Sequence, residues 1–125
     1  MIIGIGTDII EISRIKKAVQ TRPKLAERVF TRAEIDYCQS NGDFFTSLAA
    51  RFAAKEAVAK ALGTGIRDFK WQDIEVTNDF LGKPNIVIYG KAQEIAGQLG
   101  VNTIHVSLSH SRDYAVAMVV LEGDR

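Results

Sequence analysis

The sequence predicts an α+β fold in which a mainly antiparallel sheet packs against one long helix. Helical patterns cluster in the first half of the chain, strand patterns cluster in the second half, and one strand pattern stands at the very start. An alternating βαβ array would place strands and helices in turn and does not fit this order. Domains have about 100–150 residues. We therefore expect residues 1–125 to form a single domain.

The first element is a strand over residues 2–8, where apolar and small residues alternate. Asp8 and Glu11 have the spacing of a helix-capping box, which predicts that the strand ends at Asp8 and that a helix follows. This helix should stop near Pro23. Its apolar positions would be Ile12, Ile15 and Val19.

Thr31 and Glu34 predict a second helix, because they form a second capping box. Phe30 and Ile35 stand where a hydrophobic staple would place them, and the helix should end near residues 40–42.

The third helix is the longest. It should cover residues 44–62, since this segment is rich in alanine and is followed by Gly63 as a stop. Its apolar stripe includes Phe45, Leu48, Phe52 and Ala59. Glu56 follows Phe52 by four residues and falls on the same inward stripe, where a carboxylate is out of place.

The second half of the chain contains two strand pairs separated by a helix. Turn residues at 78–79 and 82–84 join the first pair, Gly100 ends the helix, and a turn at residues 109–113 joins the second pair. The predicted elements are strands at 74–76 and 86–89, a helix at 91–99, and strands at 104–108 and 114–121.

Composition limits the possible classes of protein. Hydrophobic residues make up 46% and charged residues 25%, which is ordinary for a soluble globular protein and argues against a disordered chain or a coiled coil. The single cysteine, Cys38, cannot form an internal disulfide and fits a reducing compartment. The first twelve residues lack a basic leader, and no apolar run approaches the ~20 residues that span a bilayer. We therefore expect a cytoplasmic protein without a membrane partner.

The net charge of +1 argues against a nucleic-acid binder. Basic residues are nevertheless concentrated between positions 14 and 32, where Glu27 is the only acidic residue. They are Arg14, Lys16, Lys17, Arg22, Lys24, Arg28 and Arg32. This segment predicts an acidic partner, with an ordinary solvated helix face as the alternative.

Several common motifs are incomplete. Gly4-x-Gly6 lacks the third glycine of a dinucleotide fingerprint, and Gly63-x-Gly65 lacks the lysine of a phosphate-binding loop. His105 and His110 are five residues apart on a strand and its turn, which does not favour zinc.

Asp8 and Glu56 are candidate Mg²⁺ ligands, because this ion takes few protein carboxylates and completes its shell with water and substrate phosphates. Asp8 as a helix cap, and Glu56 paired with Lys60, remain alternatives. Lys60 could neutralise a phosphate oxygen or could be a solvated lysine. His110, between two serines, could bind phosphate or belong only to a turn, and His105 could be a core histidine.

Four segments, taken together, resemble the holo-acyl-carrier-protein synthase family within the phosphopantetheinyl transferase superfamily. They are GIGTDIIEI at residues 4–12, RFAAKEAVAKALG at 51–63, GKP at 82–84 and HVSLSHS at 105–111. The resemblance implies a compact homotrimer with active sites between subunits. It implies transfer of the phosphopantetheine arm of coenzyme A to a serine of acyl carrier protein, for fatty acid biosynthesis, with release of adenosine 3′,5′-bisphosphate.

The resemblance also assigns roles to individual residues. Asp8 and Glu56 would hold Mg²⁺, and water would replace a further acidic ligand of the fused relatives at Ile10. Lys60 would stabilise charge on the transferring group. The proton acceptor would be a metal-bound water backed by Glu56 or, as second choice, His105.

The remaining implied sites concern the two substrates. Residues that would contact coenzyme A are Arg51, Lys60, Gly63, Pro84, Ser109 and His110, the last two from a neighbouring subunit. Residues that would contact the carrier are Arg14, Arg22, Lys24 and Arg28. Two other functions stay open: a coenzyme A-binding module without transfer, and an adaptor that docks acidic proteins through the basic segment.

Overall fold

The computed structural model describes residues 1–124 and confirms the α+β architecture. The strands in this part of the chain are β1 (Ile2–Glu11), β2 (Ile74–Asn78), β3 (Pro84–Ile88), β4 (Val101–His110) and β5 (Tyr114–Gly123). The α-helices are α1 (Ile12–Thr21), α2 (Pro23–Val29), α3 (Arg32–Ser40), α4 (Phe44–Leu62) and α5 (Gly90–Leu99). A 3₁₀ turn at Trp71–Asp73 precedes β2.

The strands form two antiparallel sheets. The larger has the order β1-β5-β4, and β2 pairs with β3 as a separate hairpin. Helix α4 covers one face of the larger sheet and packs against β1 and β5. The other face of the sheet is not covered by any element within residues 1–124, so β5 presents alternate residues to the core and to the outside.

Close packing of α4 on β1 depends on two glycines. A Cβ atom on Gly6 would lie 1.8 Å from the carbonyl oxygen of Ala57, and one on Gly4 would lie 2.2 Å from that of Ala61. Glycine in the strand and alanine in the helix therefore let the two backbones approach directly. Gly4 and Gly6, which resemble the start of a nucleotide fingerprint in the sequence, have this packing role.

The ends of several helices follow the sequence signals. Thr31 and Glu34 make both hydrogen bonds of the capping box at the start of α3. Gly63 and Gly100 follow α4 and α5 with φ angles of 83°, a left-handed conformation that glycine adopts at low cost. The predicted bounds of α4, residues 44–62, are confirmed.

The predicted end of the first strand is wrong. Strand β1 continues through Asp8 to Glu11, and Glu11 is the N-cap of α1 without a side-chain hydrogen bond. The main-chain N–H of Ile12 donates instead to the carbonyl of Asp113, 2.9 Å away. Pairing with β5 extends the strand beyond the local capping signal. Asp8 therefore is not a helix cap.

Helix α2 is absent from the sequence predictions. Pro23, which predicts the end of the first helix, is also the first residue of α2. Proline is compatible with this position because the first N–H groups of a helix have no partner within it. The one residue therefore both ends α1 and starts α2.

The inward stripe predicted for α4 is too narrow: Leu48 and Ala59 on it are buried, but so is most of the rest of the helix. The helix is buried on most of its surface, and its buried residues include the cations Arg51 and Lys55. Glu56 is only half-buried, so the carboxylate is not the misplaced charge that the spacing indicates. The surrounding β1, β5 and β2 cover the helix from several sides, which a single-stripe pattern does not anticipate.

Candidate functional site

Asp8, Glu56 and Lys60 come together where α4 crosses β1. The Lys60 ammonium lies 3.0 Å from Asp8 Oδ1 and donates to the carbonyl of Thr7 at 3.1 Å. Glu56 and Lys60 each precede by one residue the alanines that contact β1, so the close backbone approach fixes their position beside Asp8. Lys60 therefore forms its ion pair with Asp8, across the contact between α4 and β1, and not with Glu56 as the alternative interpretation predicted.

The two carboxylates influence one another. Burial raises the pKa of Glu56, and the charge of nearby Asp8 raises it further, while Lys60 lowers it. A cation between the carboxylates would relieve this repulsion.

Within residues 1–124, no cluster of three or more metal-ligating side chains occurs. Two carboxylates suit Mg²⁺, which keeps several waters and takes substrate phosphates as ligands. The neighbouring Ile10 side chain points into the core and adds no oxygen.

A second group of predicted residues lines a cavity of about 370 Å³ between the start of α4, the β2–β3 hairpin and the end of β4. Arg51, Pro84 and His110 all contribute to its wall. Sequence reasoning did not assign a ligand role to the other polar residues at this cavity. Among them are Tyr37, Asp43, Ser47 and Asn78.

Arg51 is held firmly although it is charged and buried. Its Nη1 donates to Ser47 at 3.2 Å, its Nη2 donates to the side-chain oxygen of Asn78, and its guanidinium stacks over Tyr37 at 4.4 Å. Its Nε is buried without a hydrogen-bond partner in the described part of the chain. An unsatisfied buried donor is costly. The other contacts nevertheless fix the guanidinium at the cavity wall, where its positive charge would attract an anion.

The first turn of α4 also faces this cavity. Asp43 caps the helix by accepting hydrogen bonds from the Thr46 hydroxyl at 2.7 Å and from the Thr46 N–H at 3.2 Å. These bonds lower the pKa of Asp43, and the nearby His110 contributes in the same direction. A cap residue directly before an apolar helical segment is a signal that sequence reasoning could have used for Asp43.

The two groups lie at opposite edges of the larger sheet. Asp8 on β1 and Leu108 on β4 both pair with Ala117 of the central strand, and Leu108 lines the cavity. Two strand spacings correspond to about 10 Å. Arg51 and Glu56 are five residues apart on α4 and so point in directions about 140° apart. Within one copy of the chain, the two groups therefore face in different directions and lie about two strand spacings apart.

Ser109 and His110 lie within β4 and not in a turn as predicted. Consecutive strand residues point to opposite faces, so His110 lines the cavity while Ser109 lies on the outer face of the sheet. Strand pairing carries β4 past the polar residues that suggested a turn.

His105 shares the outer face with Ser109. It is exposed, and its Nε2 lies 2.9 Å from Glu122 on β5, so the interpretation as a core histidine is wrong. The imidazole lowers the pKa of Glu122 by hydrogen bonding and by charge. His105 pairs with Val120 of β5, whereas Asp8 pairs with Ala117, three residues away on the same strand. The side chains of His105 and Asp8 lie on opposite faces of the sheet. The structure does not bring it to the carboxylates within one copy.

The basic segment forms a continuous surface on α1 and α2. Two shallow cavities of about 520 and 450 Å³ lie on it and share Arg22 and Leu25. The predicted carrier-contact residues Arg14, Lys24 and Arg28 border these cavities. The surface combines positive charge with an apolar floor.

Comparison with known proteins identifies the family. The family model described as the 4′-phosphopantetheinyl transferase superfamily matches residues 4–119. The chain belongs to this superfamily. Its curated relatives include the holo-[acyl-carrier-protein] synthase of Moorella thermoacetica, which is 50% identical over 94% of this chain and 91% of the relative.

Solved structures of superfamily members have the same fold. The holo-[acyl-carrier-protein] synthase of Neisseria meningitidis is 39% identical, with a TM-score of 0.88 over 98% of this chain and 99% of that chain. The synthase of Bacillus anthracis, solved in complex with CoA (3′,5′-ADP), is 41% identical, with a TM-score of 0.82 over 99% of both chains. In residues 1–124 of this superfamily member, no helix is long and apolar enough to cross a membrane.

Proposed function

We propose that the chain is a Mg²⁺-dependent holo-[acyl-carrier-protein] synthase that moves phosphopantetheine from coenzyme A to a serine of apo acyl carrier protein. The observation that carries this proposal is the group of Asp8, Glu56 and Lys60, which places a cation beside two carboxylates that repel one another. The names of the relatives agree with this activity. A coenzyme A-binding module without transfer would need the cavity but not the paired carboxylates.

In the reaction, the serine Oγ attacks the β-phosphorus of coenzyme A. The bond from this phosphorus to the bridging oxygen breaks, and adenosine 3′,5′-bisphosphate leaves with the bond electrons. Asp8 and Glu56 would hold Mg²⁺, whose positive charge would stabilise the negative charge of the pyrophosphate. Lys60 would bind negative charge on the transferring group, because its half-exposed ammonium can turn from Asp8 toward a phosphate.

The serine proton needs an acceptor. We assign this role to a water molecule oriented by the Glu56 carboxylate, which lies beside Asp8 at the proposed Mg²⁺ site. His105 is the weaker candidate, since it lies on the outer sheet face with its Nε2 within hydrogen-bond distance of Glu122. After transfer, the proton would pass from this water to solvent.

A homotrimer fits the separation of the two residue groups. The outer sheet face exposes large apolar side chains, including Ile5 at 57%, Ile9 at 61% and Met118 at 50%. Covering such a face stabilises association of copies. Gly63 and the carboxylates of one copy would then meet Arg51, Pro84 and His110 of its neighbour. Ser109, on the same outer face, would lie at the contact between copies.

The carrier would dock on the basic surface of α1 and α2. Arg14, Arg22, Lys24 and Arg28 would attract an acidic helix, and Leu25 would contact its apolar side chains. Exposed charges are screened by salt. We therefore expect KM for the carrier to rise with ionic strength, whereas KM for coenzyme A should respond less.

The direct test incubates the purified protein with coenzyme A, apo acyl carrier protein and Mg²⁺, and measures the carrier mass. We expect a gain of one phosphopantetheine group, lost when a chelator removes the metal and restored by adding Mg²⁺. Calorimetry with coenzyme A runs in parallel. Binding of coenzyme A without any change in carrier mass, across several divalent ions, would replace this proposal with the binding-module alternative.

A further inference from the structure

Helix α4 carries two buried cations outside the group around Glu56. Arg51 and Lys55 lie one turn apart and are 3% and 0% exposed. Both donate to strand β2: Arg51 to the side chain of Asn78, and Lys55 to the carbonyl of Ile74. Ile74 and Asn78 are the first and last residues of this strand. The helix therefore holds β2 at both ends.

The Lys55 ammonium has an acceptor for each of its three protons. Its Nζ lies 2.8 Å from Glu34 Oε1, donates to the carbonyl of Trp71 at 3.2 Å and donates to the carbonyl of Ile74. Burial lowers the pKa of Lys55, and the adjacent Glu34 opposes that effect. Both side chains are fully buried, so solvent does not compete for these bonds.

Glu34 completes the network from the other side. Its carboxylate accepts from the main-chain N–H of Thr31 at 2.9 Å and from that of Val76 at 2.9 Å, in addition to Lys55. One ion pair thus joins the start of α3, the middle of α4 and the middle of β2. Buried ion pairs add little stability over apolar residues of equal volume, but their directed bonds fix relative positions that apolar packing leaves variable.

The network holds the β2–β3 hairpin, and this hairpin shapes the cavity. The β2–β3 hairpin is a separate sheet without ladder hydrogen bonds to the larger one in residues 1–124. It contributes Asn78, Gly82 and Pro84 to the cavity wall opposite the start of α4. The position of β2 relative to α4 therefore sets the distance between Pro84 and Arg51.

We propose that Lys55, together with Glu34, is a positioning residue that holds the β2–β3 hairpin against α4 and so maintains the shape of the cavity. Lys55 has no exposed surface and does not line the cavity. It acts on ligand binding only through the hairpin. The assignment of coenzyme A as the ligand rests on the proposed function, whereas the effect on the hairpin does not.

The test compares two double variants that make the same chemical change. Glu34→Gln/Lys55→Met removes the buried pair, and Glu94→Gln/Lys91→Met removes the exposed pair on α5, where the charged atoms are 3.7 Å apart. The single Lys55→Met variant would leave a buried carboxylate unpaired and could fail to fold, so the double variant is used. Amide hydrogen exchange, calorimetric coenzyme A affinity, kcat and KM are measured for both and for the unmodified protein.

In the buried-pair variant, we expect hairpin amides at residues 74–88 to exchange about tenfold faster while β5 amides change less than about twofold. We expect Kd and KM for coenzyme A to rise about tenfold with kcat changed less than about threefold. The exposed-pair variant should match the unmodified protein in every measurement.

Three outcomes would overturn the proposal. These are unchanged hairpin exchange, equal acceleration throughout the chain, or a lower kcat with unchanged KM and Kd. Absence of transfer by the unmodified protein would instead refute the proposed function. Hairpin exchange would then still test the positioning role, because it does not depend on activity.

Discussion

The Lys60 ammonium lies 3.0 Å from Asp8 Oδ1, although 52 residues separate them in the sequence. The pair bridges α4 and β1 at the point where Gly4 and Gly6 let the two backbones meet. The same contact brings Glu56 beside Asp8, so one packing arrangement assembles all three charged groups.

Replacing Lys60 should impair turnover without destabilising the fold. We expect Lys60→Met to lower kcat by about a hundredfold, because a charge near the transferring group is lost. The free energy of unfolding should change by less than about 1 kcal/mol, since the pair is partly solvent-exposed. Steady-state kinetics and thermal melting measure both effects. Lys91→Met, at a lysine of similar exposure, is the control, and an equal loss of kcat there would contradict the role.

In the absence of metal, the ionised Glu56 should destabilise the folded protein. Burial and the Asp8 charge raise the pKa of Glu56, so at neutral pH its ionised form is less favourable in the folded than in the unfolded state. We expect Glu56→Gln to abolish transfer and to raise Tm in metal-free buffer. Differential scanning fluorimetry with a chelator measures this, with Glu94→Gln as control. A lower Tm together with retained transfer would refute both the ligand role and the role in orienting the proton-accepting water.

The approach of α4 to β1 should tolerate no side chain at Gly6. A Cβ there would meet the Ala57 backbone, so we expect Gly6→Ala to destabilise the protein by about 3 kcal/mol or more and to displace Glu56. Gly97 on α5 has open space around its Cβ position. Gly97→Ala should stabilise by about 0.5–1 kcal/mol. Urea denaturation measures both, and similar values for the two variants would contradict the packing argument.

The cap at the start of α4 should give a pH-dependent contribution to stability. Hydrogen bonds from Thr46 lower the pKa of Asp43, so its stabilising effect is present above the ordinary value of 3.8 and is lost as pH falls through the lower folded-state pKa. We expect Asp43→Ala to cost about 1 kcal/mol at pH 7. Thermal melting between pH 7 and about pH 3 should show the difference from the unmodified protein shrinking with acidification. A difference that grows would contradict the assignment.

The proposed homotrimer, with sites shared between copies, predicts complementation between inactive variants. Arg51→Ala and Glu56→Gln should each be inactive, because they remove one group from every site. After mixing, unfolding and refolding together, random assembly should restore about a quarter of the sites. Transfer activity and light scattering measure the result. Adding Met118→Glu to both variants should prevent assembly and recovery, since it places a charge on the apolar outer face. A mixed trimer without recovered activity would contradict shared sites.

Local signals in the sequence determined much of the secondary structure. The capping box of Thr31 and Glu34 and the stops at Gly63 and Gly100 act within one helical turn, so they can be read without a fold. The α+β order followed from the distribution of these elements. At Asp8 the same local logic failed, because pairing with β5 extends the strand past the capping pattern.

The candidate site depended on contacts between distant segments. The sequence by itself indicated Asp8, Glu56 and Lys60, but the pairing of Lys60 with Asp8 required the glycine contact between β1 and α4. Ser109 and His110 point in opposite directions because both lie in strand β4, where the sequence predicted a turn. The buried partner of Lys55 is 21 residues away, outside any helical spacing. Tertiary packing decided these relationships, because only it sets which faces of α4 meet which strands.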